Sequence, residues 1–103
     1  MSFRLALVLM VMVGAAAAEP GPDRQAELIR LIRQDCGSCH GMTLGGGLGP
    51  ALTADALAGK PSELLYNTIL SGRPGTPMPP WQDLLTPDEI SWIVNRLQEG
   101  LPR

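Results

Sequence analysis

Histidine occurs once and cysteine twice in these 103 residues, and that scarcity removes most side-chain chemistry at a stroke. A nucleophile activated by an imidazole base needs a histidine free for the task. Zinc held by soft ligands needs about four of them, where only three exist. Alternating Val/Ile runs are missing, so the strand-helix-strand setting that a thioredoxin-like Cys-x-x-Cys requires is not supported. No apolar run reaches the roughly 20 residues that span a bilayer; Leu5 to Ala18 falls short. No Gly-Lys-Ser/Thr follows the glycines at 45–47, which argues against a phosphate loop. Internal repeats and low-complexity tails are absent too. Basic charge is not in excess: eight Lys and Arg face ten Asp and Glu, a formal charge of −2, which argues against a nucleic-acid partner.

What the chain does have begins with an export signature. Arg4 is a positive n-region, Leu5 to Val13 an apolar h-region, and Ala16-Ala17-Ala18 a small-residue cleavage site. Residues 1–18 are thus expected to be a cleaved Sec-type signal peptide, giving a mature chain from Glu19, a periplasmic location and no stable membrane insertion. The expected domain, residues 19–103, is small enough that burial of apolar side chains alone is marginal. A monomer is expected.

Both cysteines and the histidine stand together in Cys36-Gly37-Ser38-Cys39-His40. This C-x-x-C-H order is the pattern by which two thiols are joined to the vinyl groups of one haem while the next residue binds its iron. Cysteines three apart lie on neighbouring turns at a helix end, where both sulfurs can meet one porphyrin edge. A structural disulfide is the alternative for an exported chain. One covalent haem c, on Cys36 and Cys39 with His40 as an axial ligand, is the favoured reading.

Three helices are legible. The first runs from Asp23, which can cap its start, into the pentapeptide, with Ala26, Leu28, Ile29, Leu31 and Ile32 as its apolar stripe. The glycines at 45–47 and 49 suit a backbone that passes close to a flat cofactor. Residues 51–59 contain at most a short helical turn. A second helix opens at Pro61-Ser62-Glu63 and ends at Ser71-Gly72. A third starts with a capping box at Thr86-Pro87-Asp88-Glu89 and stops at Gly100, its buried stripe being Ile90, Ile93, Val94 and Leu97 with Trp92 beside it.

Between the last two lies a Pro-rich strap, residues 73–81. Prolines on both sides of Met78 prevent helix there and fix the backbone. Met78 has enough intervening chain to cross to the far face of a haem, whereas Met42, two residues past His40, does not and is expected to be a packing residue. Met78 is therefore the expected second axial ligand. A thioether favours ferrous iron and raises the potential relative to a second histidine. Trp81 either hydrogen-bonds a propionate or packs on the ring. Arg73 either pairs with a propionate or is simply solvated, and Tyr66 is core or haem-pocket packing.

The pentapeptide, Gly49-Pro50, Met78-Pro79-Pro80 and the capped last helix together resemble the small bacterial class I cytochromes c. That resemblance implies an all-α fold with N- and C-terminal helices packed around one haem. It also implies a hydrogen bond from the proximal His40 to the Pro50 carbonyl. Residues 36–44, 46–53 and 72–81 look like the NirC-type monohaem cytochromes c encoded with haem-d-containing nitrite reductases. What this implies is electron supply to that reductase in denitrification or, as an alternative, an accessory redox role in haem d maturation. A third reading, a small-ligand-binding haem enzyme, would need Met78 to dissociate. Two positions depart from the wider family: Leu28 stands where glycine usually lets the terminal helices touch, and Arg96 where an aromatic is common.

Overall fold

A computed structural model describes residues 6–11 and 18–102. Of the expected signal peptide, positions 1–5 and 12–17 lie outside the described residues; 6–11 are exposed and without helix. No helix among the described residues is long and apolar enough to cross a membrane.

The architecture is helical, with no strand among the described residues: α1 (Pro22–Leu31), a π-helical turn (Ile32–Cys36), α2 (Gly37–His40), α3 (Ala54–Leu57), α4 (Ser62–Ser71) and α5 (Pro87–Glu99). Helix α1 starts one residue before the sequence suggested. Gly21 is the extended cap residue and Pro22, whose fixed φ is already helical, takes the first position. Asp23 is consequently inside the first turn, where its charge complements the helix dipole rather than capping it. Leu28 and Ile32, four apart, are wholly buried, while Ala26, expected in the stripe, is exposed.

Helix α5 is built as its sequence specifies. Thr86 Oγ1 accepts from the Glu89 N–H at 3.2 Å and Glu89 Oε1 accepts from the Thr86 N–H at 3.0 Å, closing the capping box. The other Glu89 oxygen accepts from Arg24 Nε, so one carboxylate both caps α5 and ties it to α1. That pairing holds the Glu89 carboxyl below its ordinary value and raises the Arg24 guanidinium, the hydrogen bond between them being the main cause in each. Ile90, Trp92, Ile93, Val94 and Leu97 are buried on α5. The core joins Ile90, Trp92, Ile93 and Leu97 to Leu28, Ile32, Leu44, Leu57 and Leu85.

Backbone packing on α5 comes mainly from α3 and α4, not α1. Leu28, wholly buried, shares one core cluster with Ile90, Trp92, Ile93 and Leu97 of α5. Arg96 lies with its guanidinium 5.7 Å from the Trp92 ring centroid, so the aromatic one turn earlier offers the cation a π face. Helix α4 has no fully buried residue. Its Leu65, Tyr66, Ile69 and Leu70 are half-buried against the core.

Candidate haem site

The pentapeptide does not continue the regular turn of α1. The π turn gives a wider step, with the Gly37 N–H bonded back to the Ile32 carbonyl, and it leaves Arg33, Gln34 and Asp35 exposed while Cys36 turns inward. Both cysteines are free, so the disulfide alternative is not realised in this conformation. Burial, followed by the neighbouring Asp35 charge, pushes the Cys36 thiol up to about 11.

His40 ends the single turn of α2, and its ring is fixed from the loop that follows. Its Nδ1 lies 2.7 Å from the Pro50 carbonyl oxygen. A carbonyl can only accept, so Nδ1 carries the proton and Nε2 is left with its lone pair free for a metal. The ring fits there because residue 49 is glycine: a Cβ on Gly49 would stand 2.7 Å from His40 Cε1 and 2.8 Å from Nδ1.

The glycine-rich loop serves the chain itself. The Gly46 N–H donates to the His40 carbonyl and the Gly49 N–H to the Cys39 carbonyl, each at 2.8 Å, satisfying carbonyls that the short α2 leaves open. A Cβ on Gly41 would meet the Gly46 oxygen at 2.6 Å, and one on Gly47 the Cys39 oxygen at 2.8 Å. Gly41 and Gly47 therefore permit backbone to lie on backbone. Leu44, buried and at φ 59, is the one non-glycine residue with positive φ among those described.

Across the molecule, the Pro-rich strap brings Met78 to an apolar cavity that it lines with Leu31, Cys36, Ile69, Trp81, Leu85 and Ile93. Inside the strap the Thr76 hydroxyl donates to the Arg73 carbonyl at 2.6 Å and accepts from the Met78 N–H at 3.3 Å. Cys36, Met78 and Trp81 are thus gathered around one cavity. Cys39 and His40, in α2, and Pro50, in the loop that follows, do not line it. Arg73 is exposed, makes no ion pair among the described residues, and contributes through its backbone. Tyr66 faces a separate surface groove with Ser62, Glu63, Ser91, Val94 and Asn95. Met42 is 90% exposed, so it is not the packing residue expected: α2 stops at His40, and the turn at Gly41 carries the next side chain into solvent.

These donors suit a haem better than a bare ion. No group of three or more His, Cys, Asp or Glu side chains among the described residues is placed to hold a metal ion. An imidazole turned with Nδ1 to the Pro50 carbonyl, a thioether and apolar walls match the demands of a porphyrin and its iron.

A family model described as cytochrome c oxidase, cbb3-type, subunit III matches residues 23–95. Cytochrome c55X of Pseudomonas aeruginosa is 60% identical over 87 residues, which cover 84% of this chain and 73% of that protein. The chain belongs to the cytochrome c family of these proteins. Among solved structures, the c-type cytochrome NirC is 61% identical with a TM-score of 0.77, covering 80% of this chain and 96% of the other. Dihydro-heme d1 dehydrogenase of Pseudomonas aeruginosa is 31% identical over 99 residues, 96% of this chain but 19% of that protein. As a c-type cytochrome, the chain is an electron-transfer protein whose cofactor is haem c.

Proposed function

We propose that residues 19–103 form a monohaem domain that carries one electron in the periplasm, residues 1–18 having been removed as the export signal. One haem c would be held by thioether bonds to Cys36 and Cys39, with His40 Nε2 and the Met78 thioether on the iron. When bound, the haem supplies reversible one-electron chemistry between ferric and ferrous states. The observation that carries this reading is the His40–Pro50 hydrogen bond, which fixes the tautomer a proximal ligand needs and makes the imidazole a better donor. Gly49 leaves room for the His40 ring, the strap fixes the backbone at Met78, and Leu31, Ile69, Leu85 and Ile93 would give the haem an apolar wall. Held by His40 and Met78, the haem would offer no open position to a substrate, and electrons would pass in an encounter weak enough to dissociate afterwards.

The partner we propose is a haem-d-containing nitrite reductase in denitrification, which would take one electron per encounter; support comes from the likeness to NirC. A second reading is favoured by the dehydrogenase match, since there a domain like this one makes up about a fifth of a larger protein. Removing two hydrogens from a dihydro-haem releases two electrons and two protons. A one-electron carrier would accept the electrons in two successive encounters, the protons going to solvent. Stopped-flow mixing of the ferrous protein with nitrite reductase, and of the ferric protein with the dehydrogenase and its substrate, separates the two. Rapid oxidation in the first supports the donor role, rapid reduction in the second the maturation role, and inertness in both refutes the proposed partners.

A further inference from the structure

Gly72 closes α4 with φ 67 and ψ −170, a backbone state that is almost confined to glycine. It is buried, and the strap lies directly on it. A Cβ at this position would stand 2.6 Å from the Met78 carbonyl oxygen, 2.7 Å from the Pro79 carbonyl carbon and 2.8 Å from the Pro80 nitrogen. All three are backbone atoms, and two of them belong to prolines, so no side-chain rotation relieves the contact.

The crossing is fastened on both sides. The Arg73 N–H, next to Gly72, donates to the Met78 carbonyl at 3.2 Å. The Trp81 and Gln82 N–H groups donate to the Ile69 and Leu70 carbonyls at 3.0 and 3.3 Å, satisfying acceptors that the last turn of α4 leaves without intrahelical partners. The strap is therefore a loop whose start and finish are both bound to the end of α4, with Met78 at the point of closest approach. Gly75, in the same strap, differs instructively: its φ is also positive, at 78, yet a Cβ there meets nothing within 4 Å.

The geometry points to Gly72 as the positioning residue for Met78: by admitting the Met78–Pro80 backbone against the end of α4, it sets how firmly the thioether stays on the haem iron. This rests on the reading of Met78 as an axial ligand. A side chain at 72 lifts the strap by its most rigid segment, and the sulfur moves with it.

The test uses holoprotein of the wild type and of Gly72→Ala, Gly75→Ala and Met78→Ala. The readouts are the long-wavelength sulfur-to-ferric charge-transfer band, CO binding to the ferrous form and the midpoint potential. Met78→Ala should lose the band and bind CO. Gly72→Ala should shift the balance from sulfur-bound to sulfur-released iron by about tenfold or more, with CO binding and a lower potential, while Gly75→Ala keeps the band. If Met78→Ala retains the band, the ligand reading fails and the role of Gly72 fails with it. If Met78→Ala loses the band but Gly72→Ala keeps it, or Gly75→Ala loses it equally, the ligand reading stands and the role of Gly72 is refuted. Should Gly72→Ala not accumulate as holoprotein, amide exchange in the wild type decides. The Arg73 N–H should then exchange as slowly as that of Trp81, and free exchange at Arg73 overturns the proposal.

Discussion

Replacing Gly49 by alanine puts a methyl group where the His40 ring now lies. The added carbon would sit 2.7 Å from Cε1, against an ordinary contact of 3.4 Å or more, so ring or loop must yield by about 0.7 Å. Displacement on that scale is enough to degrade the 2.7 Å bond from Nδ1 to the Pro50 carbonyl. The loop has little freedom to absorb it, because the Gly49 N–H is itself bonded to Cys39. Overpacking of this kind costs roughly 1–3 kcal/mol, and a weakened polar pair adds roughly 1 kcal/mol. The expected loss of about 2–4 kcal/mol is a large share of the roughly 5–15 kcal/mol that stabilises a domain. Denaturant titration of the holoprotein by far-ultraviolet circular dichroism measures the loss. Proton NMR of the ferrous form follows exchange of the Nδ1 proton, which should accelerate. A variant within about 0.5 kcal/mol of wild type, with that proton still slow to exchange, would refute the close-packing argument.

Three further outcomes are expected. Met42→Ala should leave the spectrum intact and stability within about 0.5 kcal/mol, because the side chain is exposed; comparable spectral changes from it and Met78→Ala would undo the ligand assignment. Glu89→Gln should weaken both the α5 cap and the tie to Arg24 at neutral pH, by roughly 1–2 kcal/mol. Because the Glu89 carboxyl is held below 4.5 in the fold, its contribution is present above that pH and is lost as pH falls through its lowered value. Wild type and Glu89→Gln should accordingly converge in thermal stability as the pH falls through that lowered value, and a gap that persists or widens below it contradicts the linkage. Finally, acid-acetone should leave the haem on the polypeptide, and Cys36→Ser or Cys39→Ser should cripple its attachment; extractable haem in the wild type would contradict thioether bonding.

The Cys-x-x-Cys-His pattern was legible because it is local: two cysteines and a histidine within five residues need no knowledge of the fold. The α5 start was legible for the same reason, since a capping box is a four-residue device. Met78 stood out through the prolines at 77 and 79, which mark a fixed, non-helical backbone. What escaped depends on contacts distant in sequence or on the exact phase of a helix. Nothing in Ile-Arg-Gln-Asp-Cys announces a wider turn, so α1 read as running straight into the pentapeptide. Gly72 read as a helix stop, which it is, but its closeness to Met78 and Pro79 exists only once the strap has folded back. The glycines at 45–47 and 49 read as backbone passing close to a flat cofactor; within the chain itself, Gly47 lies against the Cys39 backbone and Gly49 against the His40 ring, contacts that no local pattern announces. Met42 was misplaced because the exit direction after His40 depends on a left-handed glycine.

The π turn between α1 and α2 also makes the segment Ile32–Cys36 a length gauge. Each residue of an α-helix turns the chain by about 100°. A residue added or removed here without a compensating change in the width of the turn would swing Cys36, Cys39 and His40 around the helix axis together and carry Cys36 away from Met78 and the cavity. Exposed Arg33, Gln34 and Asp35 make few demands on side-chain identity, so this stretch should accept many substitutions over evolution. Insertions and deletions are another matter: among proteins that keep both the buried Leu28 and Ile32 and the Cys-x-x-Cys-His sequence, the number of residues separating them should be held constant even where the letters drift.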